Sequence, residues 1–489
     1  MNPASDLYFS DVFGVAESDL DEYGAFNVSL VVDLPLFIDP FLLFNSQHPP
    51  YQALHTLIID YLKYLRDQSL AGQLNDGRLR ALFCFSEVQQ NWLGFSQTDN
   101  RGRGLGMDFA RALADNLNKL FADFGNENIT RSSHLEKLCL IRAGVGRDMI
   151  SDFTTNLIKR FLCEFTEGFA KKHLDPARCA TFSVERVTFY PATGTWAPGK
   201  YLLPKNGSDF VLLTPKDLLT KDDTWINKED FIREYHDIPT AIGDAELRDR
   251  IDAYFQSVLP RRPTKKEEDE AVRKTALQFP VLIDYFIKHK EDTGDEAERR
   301  SIAKVEASMA LYIRQFGQLV EMLRTTEFYR EPLASKDAAL EKVRFLKDVI
   351  ENKGGHRIFY HNGQAIRKEE DLQILYRLVW HRTRFDVSRE VNDGRGPADF
   401  KVSVGATNKT LVEMKLASNT GLRRNLEKQV EIYQKASDAP TALKVIIYFS
   451  QAEQRRVAAI LRQLKLDGNP DIVLIDARVD NKPSGSKAA

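Results

Sequence analysis

Residues 411–417, LVEMKLA, alternate apolar and charged side chains with a period of two, and a half-buried β-strand is the element with that repeat. The alternation sets Glu413 and Lys415 on one face and Val412, Met414 and Leu416 on the other. A preceding segment, ADFKVSV at 398–404, reads as a second strand and brings a further carboxylate, Asp399. Burying such charges among apolar residues is costly unless they are paired. A divalent cation is one partner that carboxylates take. Two carboxylates with a coordination position left open suit Mg²⁺, which keeps waters that a phosphate oxygen can displace. Lys415 then has a chemical role, because its ammonium can orient the attacking water and offset charge developing on phosphorus. Asp399, Glu413, Lys415 and the metal thus form a hydrolytic set for phosphodiesters. An E-x-K tripeptide alone equally fits an exposed strand with a salt bridge. The apolar frame, the upstream Asp and the helix that follows set this one apart.

A chain of 489 residues exceeds one hydrophobic core, so two or three domains are expected. With 43% hydrophobic and 28% charged residues, and no uncharged apolar run of about eighteen residues, membrane proteins are excluded as a class. MNPASDLYFSDVFGV has no secretory pattern, so the cytoplasm is expected. Cys84, Cys139, Cys163 and Cys179 are scattered and read as free thiols. The net charge of −2 hides an asymmetry: residues 341–489 hold 27 Lys and Arg against 19 Asp and Glu, while the rest holds 41 against 51. A basic C-terminal unit on an acidic remainder implies different electrostatic roles.

The first 48 residues, interrupted by Pro35 and Pro40, suit short strands or extended segments. Amphipathic helices are predicted over 51–68, 107–124 and 147–172, and a β-rich insert near 180–240. Helix returns after Asp244, with a solvated bend expected at KHKEDTGDEAERR. A helix over 336–352 stops at Gly354-Gly355. Beyond it come a helix at 368–381, strands at 384–391, 398–404 and 410–417, a helix at 421–436 and a strand at 442–450. The expected architecture is α+β and multidomain: a mostly helical region over 1–335, a C-terminal α/β unit of order αβββαβ over 336–480, and a disordered tail at 481–489.

Other motifs fail on physical grounds. GTWAPGK at 194–200 has phosphate-loop spacing, but Tyr201 stands where Ser or Thr should hold Mg²⁺, and YLLPK cannot open a helix. GRGLG at 102–106 lacks the third glycine of a dinucleotide loop and reads as a turn before Met107. His356, His361 and His381 read as surface or capping residues.

Pro397-Ala398-Asp399, followed by Glu413-Met414-Lys415, resembles the PD-(D/E)XK phosphodiesterase superfamily, the restriction-endonuclease-like fold, over roughly residues 367–450. Gln429-Val-Glu-Ile-Tyr433 is similar to the Q-x-x-x-Y element of its RecB-like members, in which one helical turn sets both side chains toward DNA. Ala398 between Pro397 and Asp399 departs from the motif. The resemblance implies a restriction-endonuclease-like core with Asp399, Glu413, Lys415 and Gln429 as catalytic residues. It also implies a metal, Mg²⁺ or Mn²⁺, held by Asp399, Glu413 and a helical glutamate. Of Glu369 and Glu370, helical geometry aims Glu369 inward. Arg395, Arg423, Arg424, Lys428 and Tyr433 would contact nucleic acid, the basic ones along its backbone. The implied protein is a metal-dependent nuclease, a DNA endonuclease of prokaryotic anti-phage defence or restriction, with DNA favoured and RNA open as substrate. A homo-oligomer and a protein partner encoded nearby are expected, with the N-terminal region as sensor, gate or scaffold. The alternative is a non-catalytic nucleic-acid-binding or interaction protein with a remnant nuclease fold.

Overall fold

Helix starts are marked by side chains that accept from exposed backbone amides. Asn227, Asp244, Thr264 and Ser450 each cap the helix that follows, and Thr264 and Glu267 close a reciprocal capping box. The computed structural model describes residues 7–72, 74–94, 105–120, 127–141, 145–221, 223–324, 335–361, 363–380, 386–389, 400–404, 408–427 and 441–482. It is a mixed α and β structure.

The N-terminal stretch contains short helices as well as extended chain. Phe9–Phe13, Glu17–Tyr23 and Pro40–Asn45 are helical, and only β1 (Leu36–Ile38) is a strand. Gly14 and Gly24, in the left-handed conformation at φ 70° and 80°, end the first two helices, and Asp39 caps the third with Pro40 at its first position. The insert is a long antiparallel hairpin, β2 (Cys179–Tyr190) and β3 (Thr195–Asn206), extended by β4 (Asp209–Phe210). GTWAPGK accordingly lies on the hairpin turn and β3, with no helix behind it. β5 (Leu219–Lys221) returns to pair antiparallel with β1.

Helices Val281–Asp292 and Gly294–Ser308 meet at Thr293, but the segment around that bend is not simply solvated. Lys290 and Glu291 are buried because each has a partner: Lys290 Nζ lies 2.5 Å from Asp230, and Glu291 accepts from His134 Nε2 at 2.9 Å. Burial lowers the His134 pKa, against the opposing pull of Glu291, and so favours the neutral ring. The long helical run then opens into seven residues of π-helix, Met309–Gln315, before continuing to Arg324. No described helix is long and apolar enough to cross a membrane.

In the C-terminal unit, helix Ser335–Asn352 stops before Gly354, at φ 81°. The small hairpin β6 (Tyr360–His361) and β7 (Gln364–Ala365) leads into helix Glu369–Trp380. Five strands follow: β8 (Asp386–Arg389), β9 (Phe400–Val404), β10 (Asn408–Leu416), β11 (Thr441–Tyr448) and β12 (Ile472–Asp476). They lie side by side in chain order, β8 to β10 antiparallel and β10 to β12 parallel, with residues 422–427 helical before β11 and helix Gln451–Gln463 between β11 and β12. That last helix and strand extend the unit beyond the elements expected from the sequence.

Val412, Met414, Leu416, Val445 and Ile447 bury one sheet face in the main apolar cluster with Val343, Leu346, Leu372 and Tyr376 from the two preceding helices. Ile446 and Tyr448, on the other face, pack with Leu422, Leu426, Val457 and Leu461. The main cluster runs from Leu7 to Ala477, so no break in the apolar core separates the N-terminal region from the sheet.

Asp476, which ends β12, accepts from Arg478 Nη2 and Asn481 Nδ2, each at 2.7 Å. Burial works to raise its pKa, but the Arg478 and Asn481 hydrogen bonds and Lys482 outweigh it and hold the carboxyl at about 2. A folded-state pKa below the unfolded value means that this stabilisation is full above about pH 4 and is lost as pH falls toward 2. Asp476→Asn is therefore expected to lower stability by about 1 kcal/mol at pH 7, allowing for solvent screening. Urea melts should show the difference from wild type shrinking by pH 3; a constant difference would count against the linkage.

Candidate active site

The register of β10 determines which of its side chains can act together. Lys415 stands opposite Ile446 and Glu413 opposite Lys444, so Glu413 and Lys415 occupy the face carrying Ile446 and Tyr448. Their heads are close, with Lys415 Nζ 3.5 Å from Glu413 Oε1. The Glu413 side chain is 6% exposed and that of Lys415 14%, which removes much of the water screening between them.

Glu369 reaches the same point from a different element. It is the first residue of helix Glu369–Trp380, whose first turn also carries Glu370 and Asp371, an acidic composition that complements the helix dipole. Glu369 Oε2 lies 3.3 Å from Lys415 Nζ. Its other oxygen, Oε1, accepts from the Leu416 amide at 3.2 Å and from Asn419 Nδ2 at 2.7 Å. One ammonium thus sits against two carboxylates contributed by residues 46 and two positions away.

The loop after β10 is held by side-chain hydrogen bonds. Asn419 Oδ1 accepts from the Gly421 amide at 2.8 Å, an Asx-turn that leads into the helical residues 422–427. Arg456, from helix Gln451–Gln463, donates to the carbonyls of Ala417 at 3.0 Å and Asn419 at 2.8 Å. On the antiparallel side, Phe400 pairs with Val412, the residue before Glu413, and its ring packs on Tyr376 at 4.5 Å between centroids.

Of the residues singled out in the sequence, the structure brings Glu369, Glu413 and Lys415 together. Arg423 and Arg424 are exposed beyond the loop, and Arg423 Nε lies 3.3 Å from Glu427. Arg395, Asp399, Lys428, Gln429 and Tyr433 lie outside the described residues, as does His381. His356 is buried rather than at the surface, and burial lowers its pKa. Asn419 and Arg456 were missed. Asn419-Thr-Gly421 carried a turn signal, whereas nothing local marked Arg456.

The oxygen donors of Glu369 and Glu413 are the type that Mg²⁺ or Mn²⁺ takes, and with Lys415 they leave acids in excess of bases by one among the three groups. The donor chemistry therefore fits a hard divalent cation. Among the described residues no group of three His, Cys, Asp or Glu side chains gathers as a metal cluster. Large cavities lie elsewhere: one of about 540 Å³ is walled by Tyr61, Phe161, Phe189 and Trp196 in the N-terminal region. It is largely apolar, and Arg160 on its lining is paired with Glu164.

Two stretches of the chain match family models. Residues 14–227 match a domain of unknown function (DUF8370), and residues 335–451, which contain Glu369, Glu413, Lys415 and Asn419, match another (DUF8371). No curated protein and no solved structure matches the chain.

Proposed function

We propose that the C-terminal sheet carries a metal-dependent phosphodiesterase site acting on nucleic acid. The observation that carries this reading is Lys415 Nζ at 3.3 and 3.5 Å from carboxylates on a helix and a strand, all three mostly withdrawn from water. Support comes also from the order of helix, three antiparallel strands, helical residues 422–427 and a strand parallel to the third, an order expected of the restriction-endonuclease-like core that the sequence resembles.

Glu413 and Glu369 would hold the cation, with Asp399 as the further ligand that the resemblance implies. Bound Mg²⁺ or Mn²⁺ supplies Lewis-acid polarisation of a phosphate oxygen. Glu413 and Glu369 fix the Lys415 ammonium, which in turn donates to the attacking water and to the oxygens that gain charge at phosphorus. Gln429 would orient the substrate or Lys415. Arg423 and Arg424, with Arg395, Lys428 and Tyr433, would track the backbone, and the basic balance of residues 341–489 supports that. DNA is the proposed substrate, and anti-phage defence or restriction the proposed setting.

A second reading is favoured by the bonds that Glu369 Oε1 makes to Leu416 and Asn419: the three charges would be a structural ion-pair cluster in a non-catalytic binding protein. One assay separates the two. The full-length protein is incubated with plasmid, linear and single-stranded DNA and with RNA, in Mg²⁺, Mn²⁺ or chelator, beside Glu413→Gln. Metal-dependent cleavage that falls by about 100-fold or more in the variant is expected. Undiminished cutting by the variant would put the active site elsewhere. Binding without cutting of any substrate would favour the structural cluster.

A further inference from the structure

The first turn of helix Glu369–Trp380 is held from two directions, and the second is the N-terminal region. Two residues along the same first turn, Asp371 is buried, and its Oδ1 accepts from the Tyr312 hydroxyl at 2.6 Å. Lys221 Nζ, at the end of β5, lies 3.7 Å from that oxygen and 4.8 Å from the centre of the Tyr312 ring. Tyr312 is fully buried within the π-helical stretch Met309–Gln315, and its carbonyl accepts from the Tyr8 hydroxyl at 2.5 Å. Tyr312, braced by Tyr8, and Lys221 therefore meet at a carboxylate two residues from Glu369.

The physical consequence follows from helix stiffness. Residues of one turn move together, so whatever sets Asp371 also sets the backbone of Glu369. Glu369 Oε1 is in turn fixed by Leu416 N–H, which leaves Oε2 facing Lys415. The strand hydrogen bonds do not supply this alignment, because the Leu416 amide bonds to the helix side chain while the next amide, Ala417, bonds to Ile447 of β11 at 2.9 Å. π-Helical turns are rare and are frequently found at functional sites. This one carries the residue that touches Asp371.

We infer that Asp371 is a positioning residue through which the N-terminal region, by Tyr312 and Lys221, sets Glu369 against Lys415 and so controls the site. The catalytic meaning of this link rests on the nuclease reading; the link itself does not. A rearrangement that withdraws Tyr312 or Lys221 would release the first turn of helix Glu369–Trp380 and with it the carboxylate facing the ammonium.

Amide hydrogen exchange on the full-length protein tests this without reference to activity. Tyr312→Phe keeps the ring and removes the hydroxyl, and Lys221→Met keeps the stem and removes the charge. In each, the Leu416 amide is expected to exchange about five- to tenfold faster, as loss of one hydrogen bond implies, while Ala417 keeps its wild-type rate. An unchanged Leu416 in both variants overturns the inference. Equal acceleration of Leu416 and Ala417 also overturns it, because that would mean general loosening of the sheet. If the wild type cleaves nucleic acid, Tyr312→Phe should need about tenfold more Mg²⁺ for half-maximal rate, the low end of the cost of losing an outer-shell partner, because Tyr312 acts on Glu369 only through Asp371. If it cleaves nothing, the nuclease reading fails and the exchange result still decides the positioning role.

Discussion

Lys415→Ala is expected to reduce Mg²⁺-dependent cleavage of DNA by about 10²- to 10⁴-fold while leaving DNA affinity within a few-fold of wild type. On the proposed reading the ammonium would act on the reacting phosphate, whereas backbone affinity would come from the exposed arginines beyond the loop. Removal of Lys415 has a second effect that a purely structural ion pair shares only in part. Glu413 and Glu369 would then face each other without the cation now lying 3.5 and 3.3 Å from them. Two carboxylates that share one ammonium repel each other once it is removed, so the metal-free variant should melt below wild type. Mg²⁺ or Mn²⁺ should raise its melting temperature by more than it raises that of wild type, since a divalent cation restores the missing charge. A thermal-shift titration alongside the cleavage assay checks both. Metal that stabilises neither protein would argue against a cation between the two carboxylates.

Glu291→Ala is expected to cost about 2–4 kcal/mol of stability, because it leaves hydrogen-bond donors without their acceptor at about 1–3 kcal/mol for each one that water does not reach. The Glu291 side chain is fully buried and accepts from the Arg131 amide at 2.7 Å, the Ser132 amide at 3.1 Å and His134 at 2.9 Å. The Arg131 guanidinium also donates to the Glu291 carbonyl, which ties the same loop to the same helix. Alanine would strand the ring of His134 in a dry interior and leave two backbone donors of a partly exposed turn without their acceptor. Denaturant unfolding of full-length wild type and variant checks the magnitude. A loss below about 1 kcal/mol would mean that water or another group replaces the carboxylate. Glu291→Gln should cost less than alanine, because its oxygen can still accept from one of the amides.

Legibility in the sequence followed the range of the interactions. The period-two alternation of 411–417 told that Glu413 and Lys415 share a face, because side chains of a strand alternate whatever surrounds it. Leu372 and Tyr376 marked the buried stripe of their helix and, with it, the inward aim of Glu369. The glycines at 354 and 355 marked the end of the first helix of the C-terminal unit. Misjudged elements had competing local signals. Pro35 and Pro40 suggested extended chain, yet Pro40 serves as the first residue of a helix capped by Asp39. KHKEDTGDEAERR looked solvated by composition, and only partners far away in the sequence make burial of Lys290 and Glu291 tolerable. Mixed α and β structure was readable throughout; the last helix and strand of the sheet were not assigned.

Chain geometry over a few residues was all that the sequence could determine by itself: which segments wind or extend, where they begin and end, and which side chains share a face. Tertiary structure alone decided that the carboxylate of Glu369 meets Lys415 across 46 residues, that Asn419 and Arg456 brace the loop, and that Tyr312 and Lys221 reach Asp371. The reason is energetic. Local periodicity is imposed by the backbone of each element, whereas long-range pairing is set by how all the elements together bury one apolar core, and polar groups find partners only within that packing.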